Sequence, residues 1–168
     1  YYTVNSKYLT SGLVLHFEAH GDAEKTGLIL ANGDLVVWRE IVDIIRPINV
    51  ATNNKLFVTM ATCYGRYLYL GVDPHKKSPY SGYISASKVV KTSEIIEDFS
   101  LLFEELIDTG NILSAFERLE KFGSNFYYKD SERSFEDAFE ITVKKFEVDE
   151  EYKQEFINNC IATAVASN

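Results

Sequence analysis

A histidine pair and a cysteine stand where two strand-like segments of this sequence end. The segment 13–22, LVLHFEAHGD, carries His16 and His20, and the segment 55–65, KLFVTMATCYG, carries Cys63 just before its final glycine. A free thiol has a pKa of about 8.5 and is mostly protonated at neutral pH, so a cysteine nucleophile requires a neighbouring base such as an imidazole. His20 and Cys63 are therefore candidates for nucleophilic catalysis.

The elements around these residues predict an α/β fold. Both segments are apolar and β-favouring, and side chains at the carboxyl ends of neighbouring parallel strands meet at one edge of a sheet. Between them, GLILANGDLVVW predicts a hairpin with a tight two-residue turn at Asn32-Gly33. Apolar residues at helical spacing then predict a helix over 38–46 that ends before Pro47. The hairpin and this helix would form the crossover between the two strands.

The second half of the sequence is mostly helical in pattern. The stretch YSGYISA alternates as a half-exposed or edge strand would. After it, four helix starts are expected at Ser93, at Asn111, at Ser134 (with Asp137 in a capping box) and at Asp149, and Gly110 is expected to end the first of these helices. Cys160 falls on the apolar stripe of the last helix, so we expect it in the core.

Composition narrows the class of protein. With 168 residues and 46% hydrophobic content the chain can bury one sizeable core. The net charge is -8, and residues 91–168 hold 8 basic against 18 acidic residues, which disfavours nucleic acid as a partner. No run approaches the roughly 20 apolar residues that span a bilayer, and two widely spaced cysteines favour a reducing compartment. We therefore expect a cytoplasmic protein with no membrane partner.

Metal and nucleotide chemistry are less favoured by the motifs. The stretch from His16 to Glu18 matches the H-x-E half of zinc deaminases, but the P-C-x-x-C half and H-E-x-x-H are missing from the chain. No glycine-rich phosphate loop joins a strand to a helix, so a nucleotide-binding domain ranks third. We expect no metal and no other cofactor, and we expect His16 to pack or to hydrogen-bond beside the site. Glu18 is either an orienting partner of His20 or a satisfied polar group.

Charged residues surround the expected sheet edge in the sequence. They are Asp22, Arg66, Asp73, Lys76 and Lys77. They either line a pocket for a charged substrate residue or are solvated surface groups, and solvation is the favoured interpretation for most of them.

The motifs LHFEAHGD, GLILANGDLVVW and LFVTMATCYG together resemble the caspase-like cysteine peptidases of clan CD, and within them the CHAT-type branch found in prokaryotic peptidases and in separase. The shared pattern is an apolar strand that ends in His-Gly, an L-x-L-x-x-G hairpin, and an apolar strand that ends in a small residue, Cys, any residue and Gly. The later stretch FSLLFEELIDTGNILSAFERL is similar to two consecutive helices of such domains. The resemblance covers about residues 12–122.

The resemblance implies cleavage of peptide bonds by a His–Cys dyad. Cys63 would be the nucleophile and His20 the acid and base, and the backbone N–H groups of Gly21 and Cys63 would form the oxyanion hole. The segment Ser81, Gly82 and Tyr83 would offer a strand edge to an extended protein or peptide substrate. The implied fold is a mostly parallel sheet flanked by helices, with a β-hairpin after the histidine strand and a helical C-terminal portion.

The resemblance also carries expectations about organisation and regulation. The strands and helices that precede the histidine strand in the family do not appear here, and the chain opens on Tyr1 rather than methionine. We therefore expect a single domain over residues 1–168 that lacks the N-terminal part of the full domain. Family members commonly stay silent until activated, and many prokaryotic ones serve defence or cell-death programmes. An activating protein partner, or the missing segment, and a role in antiviral defence are the corresponding expectations, and the alternative is a non-catalytic interaction module.

Overall fold

A computed structural model describes residues 12–166 of the chain. The strands are β1 (Leu13–Glu18), β2 (His20–Gly21), β3 (Gly27–Ile29), β4 (Leu35–Val37), β5 (Leu56–Ala61), β6 (Gly82–Ala86) and β7 (Phe126–Asp130). The helices are α1 (Trp38–Ala51), α2 (Thr92–Thr109), α3 (Ile112–Phe122), α4 (Ser131–Phe146) and α5 (Glu150–Ala166), and a 3-10 helix spans Gly65–Gly71. The ends of the predicted domain, 1–11 and 167–168, lie outside the described residues.

A four-stranded sheet forms the centre of the fold. Its strand order is β1-β5-β6-β7, with β1, β5 and β6 parallel and β7 antiparallel to β6. Leu13 pairs with Leu56 and Glu18 pairs with Ala61, so each residue of β1 faces the residue 43 positions later in the chain. The prediction of an α/β fold with a mostly parallel sheet is confirmed.

The crossover between β1 and β5 contains the predicted hairpin. β2 follows β1 after one residue and pairs with β3, and β3 pairs with β4 in a second, three-stranded sheet. The turn differs from the prediction: the Leu30 N–H donates to the Asp34 carbonyl at 2.9 Å, which leaves three residues between them, and Gly33 has φ +88°. A three-residue turn needs positive φ at one position, and glycine occupies it without strain.

Two apolar layers cover the central sheet. On one face, α1 and the 3-10 helix pack against alternate residues of β5. On the other face, α2 and α3 pack against the intervening residues and against β6 and β7. Leu56, Val58 and Met60 therefore belong to the α1 side, and Phe57 and Ala61 belong to the α2 side, as expected for a strand buried on both faces.

The helix α1 is longer than predicted because tertiary contacts hold its last turn. It continues past Pro47 to Ala51, although proline removes one backbone donor. Ile48 and Asn49 are buried in that turn. The Asn49 side chain donates to the Ser78 carbonyl at 2.9 Å and accepts the Leu56 N–H at 3.1 Å, so it joins the end of α1 to the start of β5.

The strand β6 is central, so the prediction of a half-exposed or edge strand over YSGYISA is wrong. All five residues of β6 are buried between β5 and β7. β7 was not predicted, because five residues with a lysine near the end carry little strand signal. Lys129 is nonetheless buried: its ammonium lies 3.8 Å from the centre of the Tyr69 ring and pairs with Asp137. The cation–π contact and the ion pair compensate for the buried charge.

Three of the predicted helix ends are confirmed. Gly110 ends α2 with φ +65°, the Asn111 side chain accepts two backbone N–H bonds from the first turn of α3, and Asp149 accepts the Tyr152 N–H. No helix within residues 12–166 combines the length and the apolar character needed to cross a bilayer.

Two predicted caps are wrong by a few residues. α2 begins at Thr92, so Ser93 lies inside the helix rather than at its cap. α4 begins after Asp130, whose carboxylate accepts the Arg133 N–H, and Ser134 is buried in the first turn with its hydroxyl donating to the Asp130 carbonyl. Aspartate and serine are about equally favoured as N-cap residues, so residue type alone does not decide between Asp130 and Ser134.

Candidate active site

His20 and Cys63 lie at the same edge of the central sheet. The pairing of β1 with β5 ends at Glu18 and Ala61, so both strands finish at one edge, and His20 and Cys63 each follow two residues later. Cys63 lies in the turn after β5 and packs against the apolar layer that contains α2, whereas His20 pairs with Ile29 in the second sheet. The predicted parallel pairing of the two strands is confirmed, and a catalytic contact between the two side chains stays a prediction.

Gly21 brings the backbones of these two strand ends together. A Cβ atom added to Gly21 would stand 1.8 Å from the Cys63 carbonyl oxygen and 2.7 Å from its carbonyl carbon. Real Cβ atoms do not approach other atoms closer than about 3.0 Å. The close approach of β2 to Cys63 therefore requires glycine at this position.

The thiol of Cys63 contacts the backbone just before α2. Its sulfur accepts the Val90 N–H at 3.5 Å and lies 3.9 Å from the Val90 carbonyl oxygen. Val90 precedes Lys91, the N-cap of the 18-residue helix α2, and the amino end of a helix favours nearby negative charge. The Tyr64 N–H also donates to the Lys88 carbonyl, at 3.3 Å, so the segment 87–91 is bonded to the chain on both sides of the sulfur.

His20 is exposed and is not bonded to Cys63. Within residues 12–166, no side chain forms a hydrogen bond or a ring contact with the imidazole, and the hydrogen-bond contacts of the sulfur are both with Val90. The structure brings the two residues to one edge without joining them. Catalytic contacts are often long in a free enzyme and shorten when substrate binds.

Two backbone N–H groups near the sulfur are available as donors. The Asp22 N–H donates to the Gly27 carbonyl, and in an antiparallel pair alternate residues exchange bonds, so the Gly21 N–H points away from β3. The Cys63 N–H has no backbone acceptor among the described residues. Both predicted oxyanion donors are therefore free of the ladders beside them.

His16 is a structural residue, as predicted. Its Nδ1 lies 2.8 Å from the Thr59 hydroxyl, and its ring packs on Phe99 and Phe103 with centroids 4.9 and 5.2 Å away. Desolvation lowers the pKa of His16, and the charge of Glu18 and the Thr59 contact oppose that shift. The lowered pKa favours the neutral ring in this partly buried position.

Residues flanking the two strand ends show further constraint. Tyr64, the residue after Cys63, has φ +59°, and Lys25 has φ +63°, a backbone region that non-glycine residues rarely adopt. The Lys25 ammonium lies 5.6 Å from the centre of the Tyr64 ring and 5.3 Å from that of Tyr67. No sequence pattern indicates this strained cation–aromatic cluster, because positive φ at Lys or Tyr has no signature in residue type.

Three of the five charged residues predicted around the edge have polar partners close by. The Asp22 carboxylate accepts the Thr26 hydroxyl at 2.6 Å, and this bond lowers the pKa of Asp22. Lys76 pairs with Asp73 at 3.8 Å and with Asp43 at 3.4 Å. These contacts favour the interpretation of Asp22, Asp73 and Lys76 as surface groups.

Ser81, Gly82 and Tyr83 do not form the open strand edge that was predicted for substrate binding. The Ser81 N–H donates to Leu56, its carbonyl accepts from Ser131, and Gly82 and Tyr83 pair with β7. Tyr83 is fully buried, and its hydroxyl donates to a backbone carbonyl at 2.7 Å. The backbone groups of this segment are used within the sheet, so a peptide cannot add a strand here without displacing β7.

Cys160 is exposed, so its predicted place in the core is wrong. Its sulfur lies 3.8 Å from His75 Nδ1, and the His75 ring packs on Phe156 with centroids 4.1 Å apart. α5 turns one edge of its apolar stripe toward His75 and leaves Ile161 and Val165 exposed. A sequence pattern shows which residues share a helix face but not how much of that face is covered.

Two findings concern metal ligands near this site and the similarity of the chain to known proteins. Within residues 12–166, no three His, Cys, Asp or Glu side chains cluster closely enough to hold a metal ion. No family model, no curated protein and no solved structure matches the chain.

Proposed function

We propose that this protein is a caspase-like cysteine peptidase of the CHAT type in which Cys63 is the nucleophile and His20 is the acid and base. The observation that carries the proposal is the contact of Gly21 with the Cys63 carbonyl at the end of two parallel strands in register. A dyad on two strand ends requires the two backbones to approach closely. Glycine next to the histidine permits this because it places no side chain against the cysteine.

The dyad would act in two steps. The Cys63 sulfur, having given its proton to His20, attacks the carbonyl carbon of the scissile peptide bond, and the N–H groups of Gly21 and Cys63 stabilise the oxyanion. The C–N bond breaks, the leaving amine takes the proton from His20, and a thioester remains. His20 then takes a proton from water, and the hydroxide attacks the thioester carbonyl. The C–S bond breaks, the carboxylic acid product leaves, and the Cys63 thiolate takes the proton back from His20.

The surroundings of the sulfur support a closed resting state. The Val90 N–H donates to the Cys63 sulfur at 3.5 Å, and the thiol donates to the Val90 carbonyl at 3.9 Å, just before the amino end of α2. The same contact with Val90 and the bond from Tyr64 to Lys88 hold the segment 87–91 against the thiol. We propose that this segment shifts when an activating protein partner, or chain beyond the described residues, engages the domain.

The proposed substrate is a protein or peptide, and its binding position is not the strand β6. Because Ser81, Gly82 and Tyr83 are paired within the sheet, an extended substrate would lie across the exposed edge beside His20 instead. A role in antiviral defence belongs to the same proposal and depends on the resemblance alone, whereas a place in the cytoplasm depends on the two widely spaced cysteines.

A non-catalytic interaction module is the second candidate. The observation that favours it is that the hydrogen-bond contacts of the Cys63 sulfur, among the described residues, are with Val90 rather than with His20. A domain that kept the fold without the activity would show the same packing.

Labelling of Cys63 by a thiol-directed peptide electrophile separates these two functions. The reaction is measured at neutral pH on the Cys160→Ser variant, which removes the exposed second thiol, and the labelled site is located by mass spectrometry. The enzyme predicts labelling of Cys63 that falls at least tenfold in His20→Ala, within the about 30-fold gain that a base can give a thiol of pKa about 8.5 at pH 7. His75→Ala serves as the matched histidine control and should leave Cys63 labelling unchanged.

The outcome against the peptidase is equally specific. Labelling of Cys63 at the same slow rate with and without His20, in a protein whose unfolding is cooperative, would favour the interaction module. As a reference, a small thiol-directed electrophile is added in excess to the unfolded chain, which gives the full count of reactive cysteines.

A further inference from the structure

A second cysteine and histidine meet on the C-terminal helix, outside the proposed peptidase site. Cys160 lies on α5 and is exposed, and its sulfur is 3.8 Å from His75 Nδ1. His75 belongs to the segment between the 3-10 helix and β6. An accessible thiol beside an imidazole is the arrangement that raises thiol reactivity.

The imidazole of His75 is held in place from two sides. Its backbone N–H donates to Asp73 Oδ1 at 3.0 Å, which fixes the turn that carries it. Its ring packs on Phe156 at 4.1 Å, and Phe156 packs on Phe146 at 5.0 Å. The histidine therefore connects α5 to the turn at 73–75, and the thiol one helical turn after Phe156 stays beside it.

A cavity of about 500 Å³ is lined by His75 and by Asn159, the residue before Cys160, while Cys160 itself lies outside the lining. It is bounded by the turn at 73–75, by α4 and by α5, and its lining includes His75 and the charged side chains of Arg39, Lys145 and Glu155. A volume of this size accommodates a small organic ligand. Two cations and two carboxylates, Asp73 and Glu155, on its walls suit a ligand that carries carboxylates and an ammonium group.

The two cations that line the cavity have no ion-pair partner among the described residues, whereas Asp73 has one. Asp73 also lines the cavity, but it pairs with Lys76 and accepts the His75 N–H, so its charge is already compensated. Lys145 lies over the Tyr152 ring at 3.8 Å, a contact that leaves its charge available to a carboxylate. Arg39 is exposed at the first turn of α1.

We propose that Cys160 is a site of thiol–disulfide exchange with small zwitterionic disulfides, activated by His75. His75 takes the proton of the thiol, and the resulting thiolate attacks one sulfur of the disulfide. The S–S bond of the small molecule breaks, a mixed disulfide with Cys160 forms, and the released thiolate takes up the proton from His75. The small disulfide is the oxidant, and the carboxylates of the adduct lie toward Arg39 and Lys145. This proposal does not depend on the peptidase function.

The exchange is tested with oxidised glutathione on the whole chain, and the rate of adduct formation at Cys160 and at Cys63 is followed separately by peptide mass spectrometry. An ordinary thiol of pKa about 8.5 is only about 3% ionised at pH 7, so a base can accelerate the reaction by at most about 30-fold. We expect His75→Asn to slow adduct formation at Cys160 by roughly fivefold or more. Arg39→Gln and Lys145→Gln should each slow it by about threefold, the size of a solvent-exposed ion pair.

A neutral probe distinguishes activation from recognition. With hydroxyethyl disulfide, which lacks carboxylates, His75→Asn should still slow the reaction, whereas Arg39→Gln and Lys145→Gln should leave it unchanged. If His75 merely fastened α5, its replacement would expose Cys160 further and quicken the reaction. An unchanged or faster rate in His75→Asn would therefore overturn the role of His75. The role of the cavity would be overturned if Arg39→Gln and Lys145→Gln changed the rate equally with oxidised glutathione and with hydroxyethyl disulfide.

Discussion

Replacing Gly21 by alanine tests whether the close approach of the two strand ends creates the reactive site. The new methyl carbon would stand 1.8 Å from the Cys63 carbonyl oxygen, and ordinary van der Waals contact begins at 3.4 Å. The two strand ends must therefore separate by about 1.6 Å, since the neighbouring atoms are backbone and cannot rotate away. Forced overpacking of this kind costs about 1–3 kcal/mol of the free energy of unfolding.

The same displacement has a larger expected effect on chemistry than on stability. A misplacement of about 1 Å between reacting groups can lower a rate by about 100-fold. We expect Gly21→Ala to lose peptide-electrophile labelling of Cys63 by about that factor while the protein remains folded. Labelling is measured by mass spectrometry, and the free energy of unfolding by urea titration monitored by circular dichroism.

Gly71→Ala is the matched control for this prediction. A Cβ atom at Gly71 would stand 2.5 Å from the backbone of Trp38, so it also overpacks a buried contact, but at the junction of the 3-10 helix and α1. Gly71→Ala should lose comparable stability and keep the labelling of Cys63. Full labelling in Gly21→Ala, or equal loss in both variants, would refute the reasoning that links Gly21 to the reactivity of Cys63.

Three further predictions concern stability. Because the pKa of His16 in the folded protein lies below its ordinary value of 6.5, the unfolded chain binds more protons near that pH, and the free energy of unfolding should fall as pH drops through about 6.5. Replacement by glutamine should flatten that decrease in urea titrations between pH 7.5 and 5.5, and an unchanged slope would contradict the assignment. Asn49→Ala leaves the buried Leu56 N–H without its acceptor and should lower the free energy of unfolding by about 2–3 kcal/mol, and a loss under 1 kcal/mol would argue against its bridging role. Tyr83→Phe removes one buried hydrogen bond, to Arg66, and should cost about 1 kcal/mol in the same assay, with no cost expected if water replaces that bond.

The parts of the fold that follow from apolar pattern were predicted from the sequence. The run that became β5 is apolar on both faces apart from Thr59, which is typical of parallel strands covered by helices, and the run that became β1 has one apolar face, Leu13, Leu15 and Phe17. Asn111 caps α3 through its own side chain, a local interaction that residue type reveals. The neighbouring placement of His20 and Cys63 followed from these strands, since parallel strands end at the same edge.

The parts that depend on distant contacts were not predicted. Pro47 indicated the end of α1, but Asn49 holds another turn through bonds to Ser78 and Leu56 that lie outside the helix. β6 was interpreted as an edge strand because β7, its second neighbour, has a weak pattern of its own. The contact of Cys160 with His75 joins residues 85 positions apart, and nothing in either local sequence indicates it.

The register of β1 and β5 separates two quantities that a sequence motif treats as one. The strands that end just before His20 and Cys63 are aligned by direct pairing, whereas the number of residues between the two side chains depends on the hairpin and α1 that connect those strands. The loop at 30–34 is exposed, so added residues there would lengthen the interval without disturbing the alignment. A search for relatives of this chain should therefore fix the residue types at the two strand ends and leave the interval between them free.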